Sequence, residues 1–189
     1  MTMDVRGRAR EAFRAELAEA VLAVFAEHGF HNVTVEQAAH AVGISRATFF
    51  RHLGTKEDAV ILAVEFSSID YAEVIRALPS GDPRSGWALV RVAVEPTVLR
   101  VEDDPARQLS RLEVINAEPS LRAKLAESRL EKVERLGKAI GERMDDALGA
   151  RVLAATGMAA FDLSWSEWIA DPATSFRDVV DRIFGRLGA

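Results

Sequence analysis

The side chains best suited to chemistry lie in one short stretch, TVEQAAHAVGISRATFFRHLGTK, residues 34–56. It offers hydroxyls at Thr34, Ser45 and Thr48, cations at Arg46, Arg51 and Lys56, and an imidazole at His52. These are hydrogen-bond donors, the groups that hold phosphates and read base edges. To do so they must stand on a helix that can enter a groove, and the stretch reads as a helix, a turn and a second short helix. Thr34 precedes Val35-Glu36-Gln37 and Ser45 precedes Arg46-Ala47-Thr48, each placed so that its oxygen can accept a free backbone N–H at a helix start. Ala38 and Ala39 let the two helices approach, and Val42, Ile44, Phe49 and Leu53 supply apolar contacts. Gly43 takes the turn, where a positive φ would strain any residue with a Cβ. This arrangement pushes one helix into a DNA major groove.

Other chemistries find little support. His28 and His31 invite a metal, but Gly29 between them breaks the helix that would align them, and no cysteine or convincingly placed carboxylate completes a site. Glu102-Asp103-Asp104 stands before Pro105 and reads as a loop and helix cap. There is no G-x-S-x-G, phosphate-binding loop, H-E-x-x-H or dinucleotide fingerprint. The expectation is a chain that is not an enzyme and needs neither cofactor nor metal.

Composition agrees with a helical binding protein. Nearly half of the 189 residues are hydrophobic, yet no run approaches the ~18 apolar residues of a membrane span. The start, MTMDVRGRAREAF, has no apolar signal core, and the chain has no cysteine. A cytoplasmic protein without membrane contact is expected. The net charge of −5 divides unevenly: residues 1–56 carry seven Lys/Arg against six Asp/Glu, the remainder seventeen against twenty-three. Phosphate attraction is left to the first part, where Arg6, Arg8, Arg10 and Arg14 cluster.

The periodicity is helical throughout, so the fold class is all-α. An amphipathic helix over 8–28 carries Ala12, Phe13, Leu17, Ala20, Val21, Val24 and Phe25 on one stripe and stops at Gly29. After the two helices of the motif, a fourth starts near Lys56-Glu57-Asp58 and continues towards Leu78, with a possible irregularity at Ser67-Ser68. PSGDPRSG, residues 79–86, is the clearest break. A helix from about Trp87 should kink or split near Glu95 because of Pro96. Helices follow over 105–117, 120–148, 151–170 and 175–187. The organisation expected is a three-helix DNA-binding domain over 1–56 and a larger helical domain over 57–189.

The residues 20–60, AVLAVFAEHGFHNVTVEQAAHAVGISRATFFRHLGTKEDAV, resemble the amino-terminal domain of TetR-type transcriptional regulators. The tokens are F-x-E-x-G-F at 25–30, T-V-E-Q-A-A at 34–39, V-G-I-S at 42–45, A-T-F-F-R-H-L at 47–53 and T-K-E-D at 55–58. The resemblance implies phosphate contacts from Thr34, His52 and Lys56. It makes the second helix of the motif the recognition helix, so that Ser45, Arg46, Ala47 and Thr48 on its first turn face base edges. Arg46, with a planar fork that matches O6 and N7 of guanine, is the leading base reader. The family usually has Tyr where this chain has Phe50, which removes a hydroxyl that commonly reaches a phosphate. Phe50 is either core edge or DNA face, and Arg51 either a phosphate contact or a solvated charge. Arg6, Arg8 and Arg10 either form an arm into the minor groove or stay solvated.

The carboxy-terminal part is similar to regulators with a mycofactocin-regulator-type domain, described as binders of acyl-CoA-like ligands. The resemblance implies a homodimer formed by the last two helices, whose apolar residues Leu153, Met158, Phe161, Ile169, Phe176, Val180, Ile183, Phe184 and Leu187 exceed the needs of single helix faces. It also implies a cavity for a small-molecule inducer. Candidate lining residues are Trp87, Val90, Val94, Val98, Leu112, Ile115, Asn116, Trp165 and Trp168, each of which ordinary core packing would also explain. The function expected is a ligand-responsive dimeric repressor on a palindromic operator. The alternatives are an efflux or catabolic regulator with a cationic or aromatic inducer, and a helical binding protein without operator function.

Overall fold

The computed structural model of the chain describes residues 5–66 and 69–188, with only the backbone of residues 5–8, 65 and 66. Ten α-helices and no strand are present among the described residues: α1 (Val5–His28), α2 (Val35–Ala41), α3 (Arg46–Leu53), α4 (Lys56–Phe66), α5 (Tyr71–Arg76), α6 (Trp87–Asp103), α7 (Pro105–Ala117), α8 (Pro119–Gly141), α9 (Ala147–Ala170) and α10 (Phe176–Leu187). They form two compact units, one of residues 1–68 and 106–126, the other of 69–105 and 127–189.

The first unit is built on α1. Leu17, Ala18, Val21, Leu22 and Phe25 point one way from it and are buried against Ala38 and Ala39 of α2, Phe49 and Leu53 of α3, and Ala59, Val60 and Ala63 of α4. Val114 of α7 and Leu121 of α8 join the same core. Alanines line the α1–α4 and α2–α3 contacts, which brings the backbones close and fixes the angle at which α3 is held. Charge ties α7 down as well. Glu19 of α1 lies 2.8 Å from Arg107 and 2.6 Å from Arg111, and Arg111 also donates to the Ala63 carbonyl at 3.1 Å. Asp58, in the first turn of α4, accepts from the Thr55 amide at 3.0 Å and from Lys124 Nζ at 2.7 Å. Those bonds, Lys124 first, lower its pKa to about 2.

In the second unit Val90, Val94 and Val98 of α6 are fully buried. Gly157 lets α9 approach α6 closely, since a Cβ there would lie 2.5 Å from Val90 Cγ1. Phe161, Trp165, Trp168 and Phe176 form one aromatic cluster between α9 and α10. Arg143 donates to the carbonyls of Leu78 and Pro79, at 3.1 and 2.5 Å, and so holds the loop after α5.

Several sequence expectations change. The helix starting at Lys56 does not run on to Leu78: α4 ends at Phe66, and Asp70 caps a separate α5 by accepting from the Ala72 amide at 3.1 Å. Ser67 and Ser68 lie outside the described residues. Pro96 does not split α6, which runs unbroken from Trp87 to Asp103; its missing N–H removes one bond while packing on α5, α9 and α10 retains the helix. The helix expected over 120–148 stops at Gly141, because Asp146 caps α9 by accepting from the Gly149 amide at 2.8 Å. The backbone is helical from Val5 onwards, so Arg6, Arg8 and Arg10 do not stand on an extended arm.

Candidate nucleic-acid interface

The α2–turn–α3 segment has the caps its sequence predicts. The Thr34 hydroxyl accepts from the Gln37 amide at 3.2 Å while the Gln37 side chain accepts from the Thr34 amide at 2.8 Å, a reciprocal capping box. Ser45 Oγ accepts from the Thr48 amide at 3.1 Å and lies 3.0 Å from Thr48 Oγ1. Between the helices Gly43 has φ of 75°, and the Ile44 amide closes the turn on the Ala39 carbonyl at 2.9 Å. Phe49 and Leu53 anchor α3 from within the core, so its opposite face is free.

That free face carries most of the candidate contacts. Thr34, Ser45, Arg46, Ala47, Phe50 and Arg51 are exposed, and Thr48 and His52 half-buried. Arg46 is held by Glu36 of α2, with 2.6 Å from Nε to the carboxylate, and its guanidinium lies over the Phe50 ring, 5.2 Å from the centroid. Phe50 therefore belongs to the outward face, 44% exposed, while Phe49 is core. His52 meets the Phe13 ring edge-on at 5.3 Å, its carbonyl accepts from Arg14 at 3.0 Å, and its Nε2 accepts from Arg51 at 3.3 Å. This fixes the end of α3 on α1. Lys56 behaves differently from the other cations. Its ammonium donates to the Phe30 carbonyl and lies over the Phe30 and Phe25 rings, 4.4 and 5.4 Å from their centroids.

The nine candidate ligand-lining residues are divided between the two units. Leu112, Ile115 and Asn116 belong to the first unit, the rest to the second. Val90, Val94, Val98 and Trp168 are buried, whereas Trp87 and Trp165 are half-exposed. Asn116 is exposed and makes no demand for a buried partner. Met158, Phe161, Phe176, Val180 and Phe184, read from sequence as surplus for a dimer, are buried within their own unit. The exposed apolar stripe of α9 instead follows Leu148, Val152, Ala155, Ala159 and Leu163, spaced to share one helix face.

Sequence reading missed Glu36, because no periodicity links residues ten apart across a turn. It also missed Arg129 of α8 and Asp162 of α9, ion-paired across thirty-three positions with half-exposed side chains. Among the described residues no group of three or more His, Cys, Asp or Glu side chains could hold a metal, and no helix is long and apolar enough to cross a membrane.

Comparison with known proteins gives two family matches. Residues 17–61 match the model of bacterial regulatory proteins of the tetR family, and residues 84–189, more than half of the chain, match the MftR C-terminal domain. The chain is 25% identical over 190 residues to the putative mycofactocin biosynthesis transcriptional regulator MftR of Mycobacterium tuberculosis, covering 97% of this chain and 93% of that protein. It is 25% identical over 174 residues to the HTH-type transcriptional regulator TcmR of Streptomyces glaucescens, 87% of this chain and 76% of the relative. The HTH-type transcriptional repressor AcnR of Corynebacterium glutamicum is 33% identical over 90 residues, 43% of this chain and 48% of its own. Among solved structures, the fatty acid degradation regulator FadR from Bacillus halodurans has the same fold, with a TM-score of 0.66 at 17% identity over 91% of this chain and 93% of that one.

Proposed function

Because this chain belongs to the tetR family of bacterial regulatory proteins and carries an MftR C-terminal domain, we propose that it is a homodimeric repressor released from a palindromic operator by a small molecule. DNA binding and transcriptional regulation come with the family; the dimer, the operator contacts and the inducer are our reading. The observation that carries the reading is the free face of α3, capped at Ser45, locked into the core by Phe49, and presenting Arg46 and Thr48 from its first turn.

The contacts divide by type. Thr34 uses its oxygen as acceptor within the cap, which leaves its O–H to donate to a phosphate. Arg51 and His52 at the other end of α3 supply further phosphate donors. Ser45, Arg46, Ala47 and Thr48 face the bases, and Phe50 packs against a thymine methyl or a sugar while supporting the Arg46 guanidinium. One α3 reads only a half-site, so two subunits must span two half-sites, about 34–36 Å apart for adjacent turns of the duplex. The α9 stripe of Leu148, Val152, Ala155, Ala159 and Leu163 is the surface that would pair them, with α10 beside it.

The match to the MftR C-terminal domain supports an acyl-CoA-like inducer. Ligand in the second unit would favour a conformation in which α4, packed on α1, carries the recognition helices away from operator spacing. A release of tenfold to a hundredfold requires only ~1.4–2.8 kcal/mol of differential affinity. The test is fluorescence anisotropy on DNA from upstream of the gene, at two salt concentrations, with and without a long-chain acyl-CoA. Tight binding that salt weakens and the acyl-CoA reverses is expected. Salt-insensitive or absent binding across that DNA would overturn the reading.

A further inference from the structure

Within the first unit a groove of about 290 Å³ opens between α1 and α7, close to the ~300 Å³ at which small-molecule pockets begin. Leu22, Ala23 and Ala26 of α1 give it an apolar strip. One end is built from charge. The Arg111 side chain, only 10% exposed, donates to Glu19 at 2.6 Å and to the Ala63 carbonyl at 3.1 Å. Arg107 donates to the other Glu19 oxygen at 2.8 Å. The Glu19 carboxylate is thus fixed from two directions, with a buried guanidinium among the lining groups. At the other end stands Glu27, 75% exposed, with the His28 imidazole 3.9 Å away.

The charges are laid out as a dipole. Among the lining side chains, two guanidiniums meet one carboxylate at the Glu19 end, whereas Glu27 makes the far end negative. Glu19, Ala23, Ala26 and Glu27 lie at i, i+4, i+7 and i+8, on one face of α1. Eight residues of helix separate the two acids by about 12 Å. A guanidinium carries five N–H donors, and the Arg107 side chain is 57% exposed, so it can hold an anion in the groove as well as Glu19. A second acidic group on the same ligand would be repelled by Glu27, and a second cationic group by Arg107 and Arg111. The layout therefore selects against both a dianion and a dication.

We propose that this groove is a small-molecule site for a zwitterion with well-separated charges. The anionic end takes Arg107, the apolar middle lies over Leu22, Ala23 and Ala26, and the ammonium reaches Glu27 across a span on the order of 10 Å. An ω-amino acid such as 8-aminooctanoate has that form. The site lies wholly in the first unit, on the helix that holds α2 and α3, and is separate from the inducer site proposed for the second unit. A ligand bound there adds a tie between α1 and α7 beside the Glu19–Arg107 pair.

The experiment follows the backbone amide resonances of the full chain while 8-aminooctanoate, octanoate, octylammonium or 4-aminobutanoate is added. 8-Aminooctanoate should shift amides of residues 19–27 and 107–111. It should bind at least about threefold more tightly than each of the others, the gain of one partly exposed ion pair. Arg107→Gln should weaken the zwitterion by a similar factor without weakening octylammonium. Glu27→Lys, a change at an exposed position, should reverse the preference, so that octanedioate binds more tightly than 8-aminooctanoate. Such a gain cannot come from a misfolded chain. The site is overturned by octanoate, octylammonium or 4-aminobutanoate binding as tightly as 8-aminooctanoate. Shifts that are absent or confined to other residues, or an unreversed preference in Glu27→Lys, overturn it equally. Operator binding takes no part in this experiment, so its outcome stands whether or not the chain proves to be a repressor.

Discussion

Glu36 of α2 holds Arg46 of α3, 2.6 Å from carboxylate to Nε, with the Phe50 ring 5.2 Å beneath the guanidinium. A side chain on the first turn of α3, the helix proposed to read the bases, is thereby held in place. The acid also sets a negative charge beside the phosphates. Arg46→Ala should cost about 1–3 kcal/mol of operator binding and relax preference at one base position. Glu36→Ala should behave in the opposite way on random DNA, where loss of the acid strengthens binding, while the ratio of operator to random DNA falls. Anisotropy titrations on both DNAs separate the two; an unaltered ratio in Glu36→Ala would mean that the pair positions nothing.

The cations of the motif should differ in their salt signatures. Arg51 is exposed and near the end of α3, whereas the Lys56 ammonium is taken by the Phe30 carbonyl and two rings. Arg51→Ala should reduce the slope of log K against log salt by about 1. Lys56→Met should leave the slope unaltered and lower folding stability by about 1–2 kcal/mol. A slope change in Lys56→Met would show that Lys56 turns outward to a phosphate.

The contrast between these two lysine and arginine positions shows where sequence stops being informative. Caps, turn and core of residues 34–53 were legible because each depends on neighbours a few positions away: Thr34 on Gln37, Ser45 on Thr48, Gly43 on its own φ. The helix content followed from periodicity for the same reason. The direction of the Lys56 side chain depends on Phe25 and Phe30, which reach it only once α1 and α4 have packed. Likewise the break after Phe66 is decided by the Asp70 cap, and the burial of Phe161 and Phe176 by their mutual stacking. A hydrophobic count over α9 and α10 could not divide core from outward stripe, because both α9 faces are apolar.

Asp58 makes a pH prediction with a definite sign. Its pKa is lowered from 3.8 to about 2, chiefly by the Lys124 ammonium and the Thr55 amide. A carboxyl that is more acidic folded than unfolded contributes stability above its unfolded pKa and loses it as pH falls towards the folded value. Asp58→Asn should therefore be less stable than the wild type at pH 7, and the gap should close between about pH 4 and pH 2. Half-exposure limits the size of the effect. Denaturant titrations of both proteins across that range measure the gap, and a constant difference would assign the loss to packing instead.

Ser45→Ala tests the cap alone. It removes the acceptor of the Thr48 amide and should cost about 0.5–2 kcal/mol, read as a lower denaturation midpoint. Because the same oxygen also lies 3.0 Å from Thr48 Oγ1, the variant frees the Thr48 side chain on the turn proposed to face DNA. Operator affinity should fall by more than stability alone explains at a temperature where both proteins are fully folded.

The proposed dimer pairs through the α9 stripe. Leu148, Val152 and Leu163 are 68%, 53% and 50% exposed on one face of a helix whose other face is core, with the small residues Ala155, Thr156 and Ala159 between them. Small residues between larger apolar ones let a second helix approach closely, so burial against a partner would remove all three from water. Val152→Asp and Leu163→Arg should each give a folded monomer, since neither side chain is needed by its own unit. Operator affinity should then collapse, because a single α3 reads one half-site. Light scattering gives the mass and circular dichroism the fold. A dimer that survives both substitutions would move the interface elsewhere, whereas a wild type that is monomeric at micromolar concentration would remove the two-fold operator from the reading altogether.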